Sequence, residues 1–230
     1  MVLDIKIMAI RSRRRNVLAL CDSLGLNEQR DVFYDDRPGG GTAMYTAQWA
    51  WMLPHAMGVT HRLLLQDDVY VVPGLAEALR PIIEAHPNAL ISLYIGKGLA
   101  QYDLESKRAQ NELLLLRMTK HKDSTSGQGL VLPIKFAMCF REWVEAVNPN
   151  YPHDDAAAFA YAESLGLERL VVYPNLVQCG NGMPSTLGHR VPKSKCFDWN
   201  AGSYVFRNKI VEITSPTYGK MITEWKEGDD

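Results

Sequence analysis

Leu63-Leu64-Leu65-Gln66-Asp67-Asp68-Val69 is the stretch on which the reading of this chain turns. Three consecutive leucines show neither helical nor alternating periodicity. A continuous apolar run of this kind belongs to a strand covered on both faces, as in a parallel sheet. His61–Gln66 is therefore expected as a strand that ends on two adjacent carboxylates. Carboxylates at the end of a buried strand are costly to desolvate unless a cation meets them. A hard divalent ion suits the position, because Mg²⁺ or Mn²⁺ takes carboxylate oxygen, keeps waters and binds diphosphate at the same time. Against this stands the bland alternative of a solvated turn after a core strand.

Working outward, the first hundred residues alternate strand-like and helix-like segments. Residues 4–10, 31–34 and 89–95 read as further strands. Residues 15–24, 42–57 and 74–86 read as helices, the first stopped by Gly25 and the second bent or ended by Pro54. Leu75, Ala78, Leu79, Ile82 and Ile83 share one face of the third helix, which also contains an awkward Pro81. This strand–helix alternation implies a mostly parallel central sheet with helices on both faces, with ligands beyond the carboxyl ends of its strands. After residue 96 the pattern weakens. Residues 101–122 read as partly helical, 134–147 and 154–165 as helices, and 171–173, 203–206 and 210–213 as short strands. No repeat or low-complexity linker divides the 230 residues, so one domain is expected.

Composition narrows the functional classes. Hydrophobic residues make up 47% and the formal net charge is −1, so there is no general attraction to nucleic acid or anionic lipid. Any basic surface must be local. The cysteines, Cys21, Cys139, Cys179 and Cys196, form no Cys-x-x-Cys pair and are expected as reduced thiols. The apolar run of residues 5–10 is followed by arginines instead of preceded by them, unlike a signal peptide, and no window reaches the ~20 apolar residues of a membrane span. A soluble, cytoplasmic protein is expected.

The acidic stretch resembles the short acidic motif of GT-A-fold glycosyltransferases, and the resemblance extends along the chain. Residues 5–11 resemble the first strand leading to the nucleotide pocket, and 32–41 the second strand with its glycine-rich turn. Tyr173-Pro174-Asn175-Leu176-Val177-Gln178, with Gly180 and Ser185, resembles the C-terminal element of several such families. The pattern is also similar to that of small bacteriophage-encoded glycosyltransferases. The resemblance implies a single Rossmann-like α/β domain of GT-A type, with residues 1–100 binding a nucleotide-sugar donor and 101–230 binding the acceptor. It implies Mn²⁺ or Mg²⁺, with Asp68 as the direct metal ligand and Asp67 at ribose, sugar or a metal-bound water. Ile10, Arg11, Asp35, Gly41 and Ser185 are implied as further donor contacts. Two departures stand out. Gln66 replaces an acid, and Cys179 stands where a metal-binding His is common. Thiolate suits these hard ions poorly, so His189 is the candidate second metal ligand.

His153-Asp154-Asp155 opens the helix at 154–165. Asp is favoured at a helix start as a cap and by the helix dipole. The same residues also supply what an inverting transferase needs, a carboxylate to take the acceptor's proton. Asp154 suits the cap and Asp155 the base. Arg11-Ser12-Arg13-Arg14-Arg15 offers guanidinium groups at the end of the first strand, suited to a diphosphate. With Lys193 and Lys195 they would form a patch for a phosphate-bearing acceptor such as a hydroxymethylated base in DNA, with a glycan or protein as alternatives. Trp49, Trp51 and Trp143 read as core. The glycines at 39–41 match neither a dinucleotide fingerprint nor a P-loop. Two rivals remain: a nucleotidyltransferase of similar sheet, disfavoured by the lack of an early glycine-rich loop, and a non-catalytic nucleotide-sugar-binding protein.

Overall fold

Side chains that alternate between two buried faces organise the structure, a computed structural model that describes residues 1–37, 42–95, 104, 108–118, 127–148, 153–180 and 196–213. The strands are β1 (Leu3–Ile10), β2 (Val32–Asp35), β3 (His61–Gln66), β4 (Val69–Val71), β5 (Ala89–Ser92), β6 (Glu112–Met118), β7 (Gly129–Pro133), β8 (Glu168–Tyr173), β9 (Val177–Cys179) and β10 (Val205–Ile213). The helices are α1 (Arg14–Leu24), α2 (Glu28–Asp31), α3 (Ala43–Trp51), α4 (Leu75–Ala85), α5 (Ile134–Ala137), α6 (Phe140–Val147) and α7 (Asp154–Ser164). Eight strands form one sheet in the order β10-β6-β8-β5-β7-β3-β1-β2, and β4 pairs with β9 in a small second sheet.

Ile7, Leu63, Leu65, Val131 and Leu170 point to one face of the large sheet and join α1 and α4 in one core cluster. Met8, Leu64, Leu130, Leu132 and Val171 point to the other and join α3, α6 and α7. Helices thus cover both faces of an α/β, Rossmann-like arrangement. The pairs β1–β2, β1–β3, β5–β8 and β6–β10 are parallel, so parallel pairings predominate. The pairs β3–β7, β5–β7 and β6–β8 are antiparallel.

Helix ends follow local chemistry. Gly25, at φ 65°, closes α1 in the left-handed conformation that costs glycine nothing. The Thr42 hydroxyl accepts from the Tyr45 N–H at 3.2 Å and starts α3. That helix stops at Trp51, earlier than the expected residue 57, with Met52 as its C-cap two residues before Pro54, whose ring disfavours helix in the residue ahead of it. Pro81 lies inside α4, whose apolar face buries Leu75, Leu79, Ile82 and Ile83. Burying such side chains stabilises by about 1.5–3 kcal/mol each, enough to offset the ~3 kcal/mol of an internal proline.

Several segments differ from the sequence reading. The expected partial helix at 101–122 is in its described part the strand β6, since Leu113 and Leu115 feed one core while Leu114 and Leu116 feed the other. β7 occupies residues that showed no clear pattern, and it runs antiparallel between β3 and β5. The two terminal strands are one, β10, broken by a register shift between Phe206 and Ile210. The expected helix at 134–147 is split into α5 and α6.

A buried ion network secures the β1–β3 region. Lys6, 1% exposed, meets Asp31 at 2.7 Å and Asp4 at 3.2 Å, and Arg62 meets Asp4 at 2.6 Å. Burial alone would raise the Asp31 carboxyl, but hydrogen bonds from Arg30 and Lys6 overcome it and hold the group well below the usual carboxylate range. Among the described residues, no helix is long and apolar enough to cross a membrane.

Candidate functional site

β1 and β3 run in parallel with Met8 opposite Gln66, so the backbone of Ile10 arrives beside Asp67 as β3 ends. Oδ2 of Asp67 accepts from the Ile10 N–H at 2.9 Å. Its Oδ1 accepts from Nη1 of Arg13 at 2.6 Å, and the same Nη1 reaches Oδ2 of Asp68 at 3.1 Å. Arg13 belongs to the 3-10 turn Arg11–Arg13 that leads from β1 into α1. Burial raises the Asp67 carboxyl, and Arg13 followed by the Ile10 N–H pulls it back only partly. The cation that the acidic pair demands is thus met, within the chain, by Arg13.

The C-terminal element comes to the same place. β9 pairs antiparallel with β4, with Val69 opposite Cys179, and the Gly180 N–H donates to the backbone oxygen of Asp68. Two motifs over a hundred residues apart in sequence therefore meet at Asp68. Burial pushes the Cys179 thiol up to about 12, and a thiolate is in any case a poor ligand for a hard cation.

Oδ1 of Asp68 is buried and has no hydrogen-bond partner among the described residues. An anionic oxygen in that state is costly unless a cation or water satisfies it, and it fits one bond to Mg²⁺ or Mn²⁺. Among the described residues, no three His, Cys, Asp or Glu groups cluster around one point. A metal there would rest on Asp68, with waters and substrate oxygens for the remainder, the habit of Mg²⁺.

A second pair of carboxylates lies across from the first. Gln66 joins the two: its N–H donates to the Gln128 carbonyl at 3.2 Å, and its Nε2 meets Oδ2 of Asp154 at 3.5 Å. Asp154 and Asp155 form the first turn of α7, behind an N-cap residue, His153, that makes no side-chain cap bond. Asp155 accepts from the Ala156 N–H at 2.7 Å and is also bonded by the Gly127 backbone. Burial raises both carboxyls, and the charge of Asp155 raises Asp154 further. Both carboxylates accept from backbone N–H groups, Asp155 from Ala156 and Gly127 and Asp154 from its own turn, and Asp154 also faces Gln66. Gly127 closes the gap, since a Cβ there would lie 3.2 Å from the Asp155 Cβ and 3.3 Å from Oδ2 of Asp154. Oε1 of Gln128 is a second buried oxygen without a partner among the described residues.

Other expected contacts are otherwise engaged. Arg11 pairs with Asp36 at 2.9 Å and lies over the Tyr34 ring, and no bond joins it to the acidic pair. Asp35 is buried and taken up by Arg37 and Thr46, with Arg37 holding its carboxyl below the usual range. Arg14 pairs with Glu28. Three of the four arginines after β1 thus have acidic partners. Gly41, Ser185, His189, Lys193 and Lys195 lie outside the described residues. Trp51 is buried in the core, as expected, and Trp143 packs against the same cluster.

Arg13 was missed because four arginines in five positions look equivalent in sequence. Its place at the end of the 3-10 turn, three residues beyond the end of β1, is the signal that separates it. A cavity of about 560 Å³ lies elsewhere, between α1, β4 and the 3-10 turn Trp199–Ser203, and none of the four carboxylates lines it.

No protein-family model matches the chain, and no curated protein sequence does. Among solved structures, the chain is similar to a glycosyltransferase involved in the glycosylation of the major capsid of PBCV-1, at 16% identity over 73% of this chain and 81% of that one, with a TM-score of 0.34. It is also similar to the inositol-1-phosphate CTP transferase from T. maritima, at 8% identity over 73% of this chain and 65% of that one, with a TM-score of 0.36. At these scores neither likeness bears on activity or on the role of any side chain.

Proposed function

We propose that the chain is a glycosyltransferase that moves a sugar from a nucleotide-diphosphate donor, UDP-linked in the favoured case, to an acceptor hydroxyl with inversion. The observation that carries this reading is the contact of Gln66 with Asp154. At 3.5 Å it supports reading the two carboxylate pairs as one site, with the separate leaving-group and nucleophile sides that a displacement requires.

Asp67, fixed by the Ile10 N–H, orients the donor end of the site, and Asp68 offers Oδ1 to Mn²⁺ or Mg²⁺. When bound, the metal supplies charge neutralisation at the leaving diphosphate. Asp154 takes the proton from the acceptor hydroxyl. Its carboxyl is raised toward the range in which a base works near neutral pH, and Asp155, held by backbone N–H groups, sustains that shift. Gln66 is neutral where an acid would add repulsion, and its amide lies against Asp154. The acceptor is a hydroxyl-bearing macromolecule, with a hydroxymethylated base in DNA the first to try and a glycan the second.

Calorimetric titration of UDP, GDP and UDP-glucose, with and without Mn²⁺, tests the donor half on the wild type and on Asp68→Ala. Metal-dependent binding that disappears in Asp68→Ala is expected. Absence of binding by any nucleotide overturns the reading. Slow release of free sugar from the donor without acceptor separates it from a nucleotidyltransferase, which would exchange pyrophosphate instead.

A further inference from the structure

Arg13 is a cation already seated on the acidic pair. One nitrogen, Nη1, lies 2.6 Å from Asp67 and 3.1 Å from Asp68, and the side chain is 11% exposed. The neighbouring guanidinium groups of Arg11 and Arg14 serve Asp36 and Glu28 instead. The two carboxylates therefore divide into three oxygens in use and one, Oδ1 of Asp68, without a partner among the described residues.

We propose that Arg13 is a built-in counter-ion that competes with a divalent cation for the Asp67–Asp68 pair and so sets the metal affinity of this site before nucleotide binds. The inference rests on the reading of Asp68 as the metal ligand. A dication accepted by Oδ1 of Asp68 stands within a few ångström of the guanidinium held by Oδ2 of the same carboxylate. In a half-buried place such like-charge contact is weakly screened. The arginine opposes the metal until an anion gives the guanidinium another partner. A donor diphosphate is such an anion, and the planar fork of Arg is suited to it. Metal and donor then bind with positive coupling, and the metal alone binds weakly. Arg13 thereby ties occupation of the metal site to the presence of donor.

The probe is Mn²⁺ alone, measured by the free-ion electron paramagnetic resonance signal, so no turnover is involved. Arg13→Ala is expected to bind Mn²⁺ about tenfold more tightly than the wild type, inside the range that coupling between two ligands spans. The gain should vanish in Arg13→Ala combined with Asp68→Asn. Arg13→Gln removes the charge but keeps a polar end against the carboxylates, and about threefold tighter binding is expected. That variant carries the test if Arg13→Ala fails to fold by circular dichroism. Equal or weaker Mn²⁺ binding by the folded variants, or a gain that survives Asp68→Asn, overturns the proposal. If Mn²⁺ binds wild type and Arg13→Ala alike and Asp68→Ala abolishes it, the donor-site reading stands while the counter-ion role falls.

Discussion

Gly202→Ala offers a sharp test of how the 3-10 turn Trp199–Ser203 packs on the rest of the fold. Gly202 lies in the 3-10 turn before β10 and packs on the segment that joins β4 to α4. A Cβ there would lie 1.8 Å from the Pro73 carbonyl oxygen, 3.0 Å from its carbon and 3.2 Å from Cγ2 of Val72. Real Cβ atoms essentially never approach closer than 3.0 Å. The two backbones must separate by more than an ångström, and no flexible side-chain end is available to yield. From the other side, a Cβ on Gly74 would meet the Gly202 carbonyl oxygen at 3.4 Å, so this is an approach of main chain to main chain. Overpacking costs roughly 1–3 kcal/mol, and a rigid contact of this kind belongs at the upper end, about 3 kcal/mol. For a chain of this length that lowers the melting temperature by about 6–12 °C. Thermal unfolding followed by circular dichroism is the assay. Gly166→Ala is the control, with φ 66° and nothing within 4 Å of the added carbon, so it reports the left-handed backbone cost of about 1–2 kcal/mol without a clash. A Gly202→Ala melting point within about 2 °C of wild type would refute the packing described here.

Asp154→Asn should stabilise the protein at neutral pH while abolishing transfer. Burial and the charge of Asp155 raise this carboxyl in the folded state, so its favourable contribution is complete below the unfolded value of about 4 and is lost as pH rises through the raised one. The variant's advantage should therefore grow steadily between about pH 4 and neutrality, and a urea-midpoint difference independent of pH would contradict it. Lys6→Met breaks the buried pair with Asp31 and should cost about 3 kcal/mol, the low end for such a loss because Arg30 still holds that carboxylate. Since Asp31 is depressed, the cost should persist at neutral pH and shrink in strong acid as that group protonates, and wild-type urea midpoints at pH 7 would count against it.

The alternation of short apolar runs and amphipathic helices is local information, and it sufficed for β1, β3, α1, α4 and α7 nearly to the residue. The strand end that carries Asp67 and Asp68 was legible for the same reason: a triple leucine cannot be half exposed. β6 and β7 were not legible. Their leucines and valines are shared between two cores, and an apolar run inserted antiparallel inside a sheet has no sequence mark to distinguish it from a buried helix. Residues 205–213 looked like two strands because the register shift between Phe206 and Ile210 interrupts the pattern without interrupting the pairing.

By itself, the sequence determined which residue types were available for chemistry: two carboxylate pairs, a row of arginines after the first strand, and a C-terminal element that resembles a donor-site motif. Only the tertiary structure decided which of them meet. The parallel register of β1 and β3 assigns Arg13, out of four similar arginines, to the acidic pair. The cross-strand position of Gln128 and the approach of α7 make Gln66 a link to Asp154 in place of a missing acid. The physical reason is range. Hydrophobic periodicity is set by neighbours three or four residues away, whereas a carboxylate's partner and its degree of burial are fixed by groups more than fifty residues distant, and no local pattern records them.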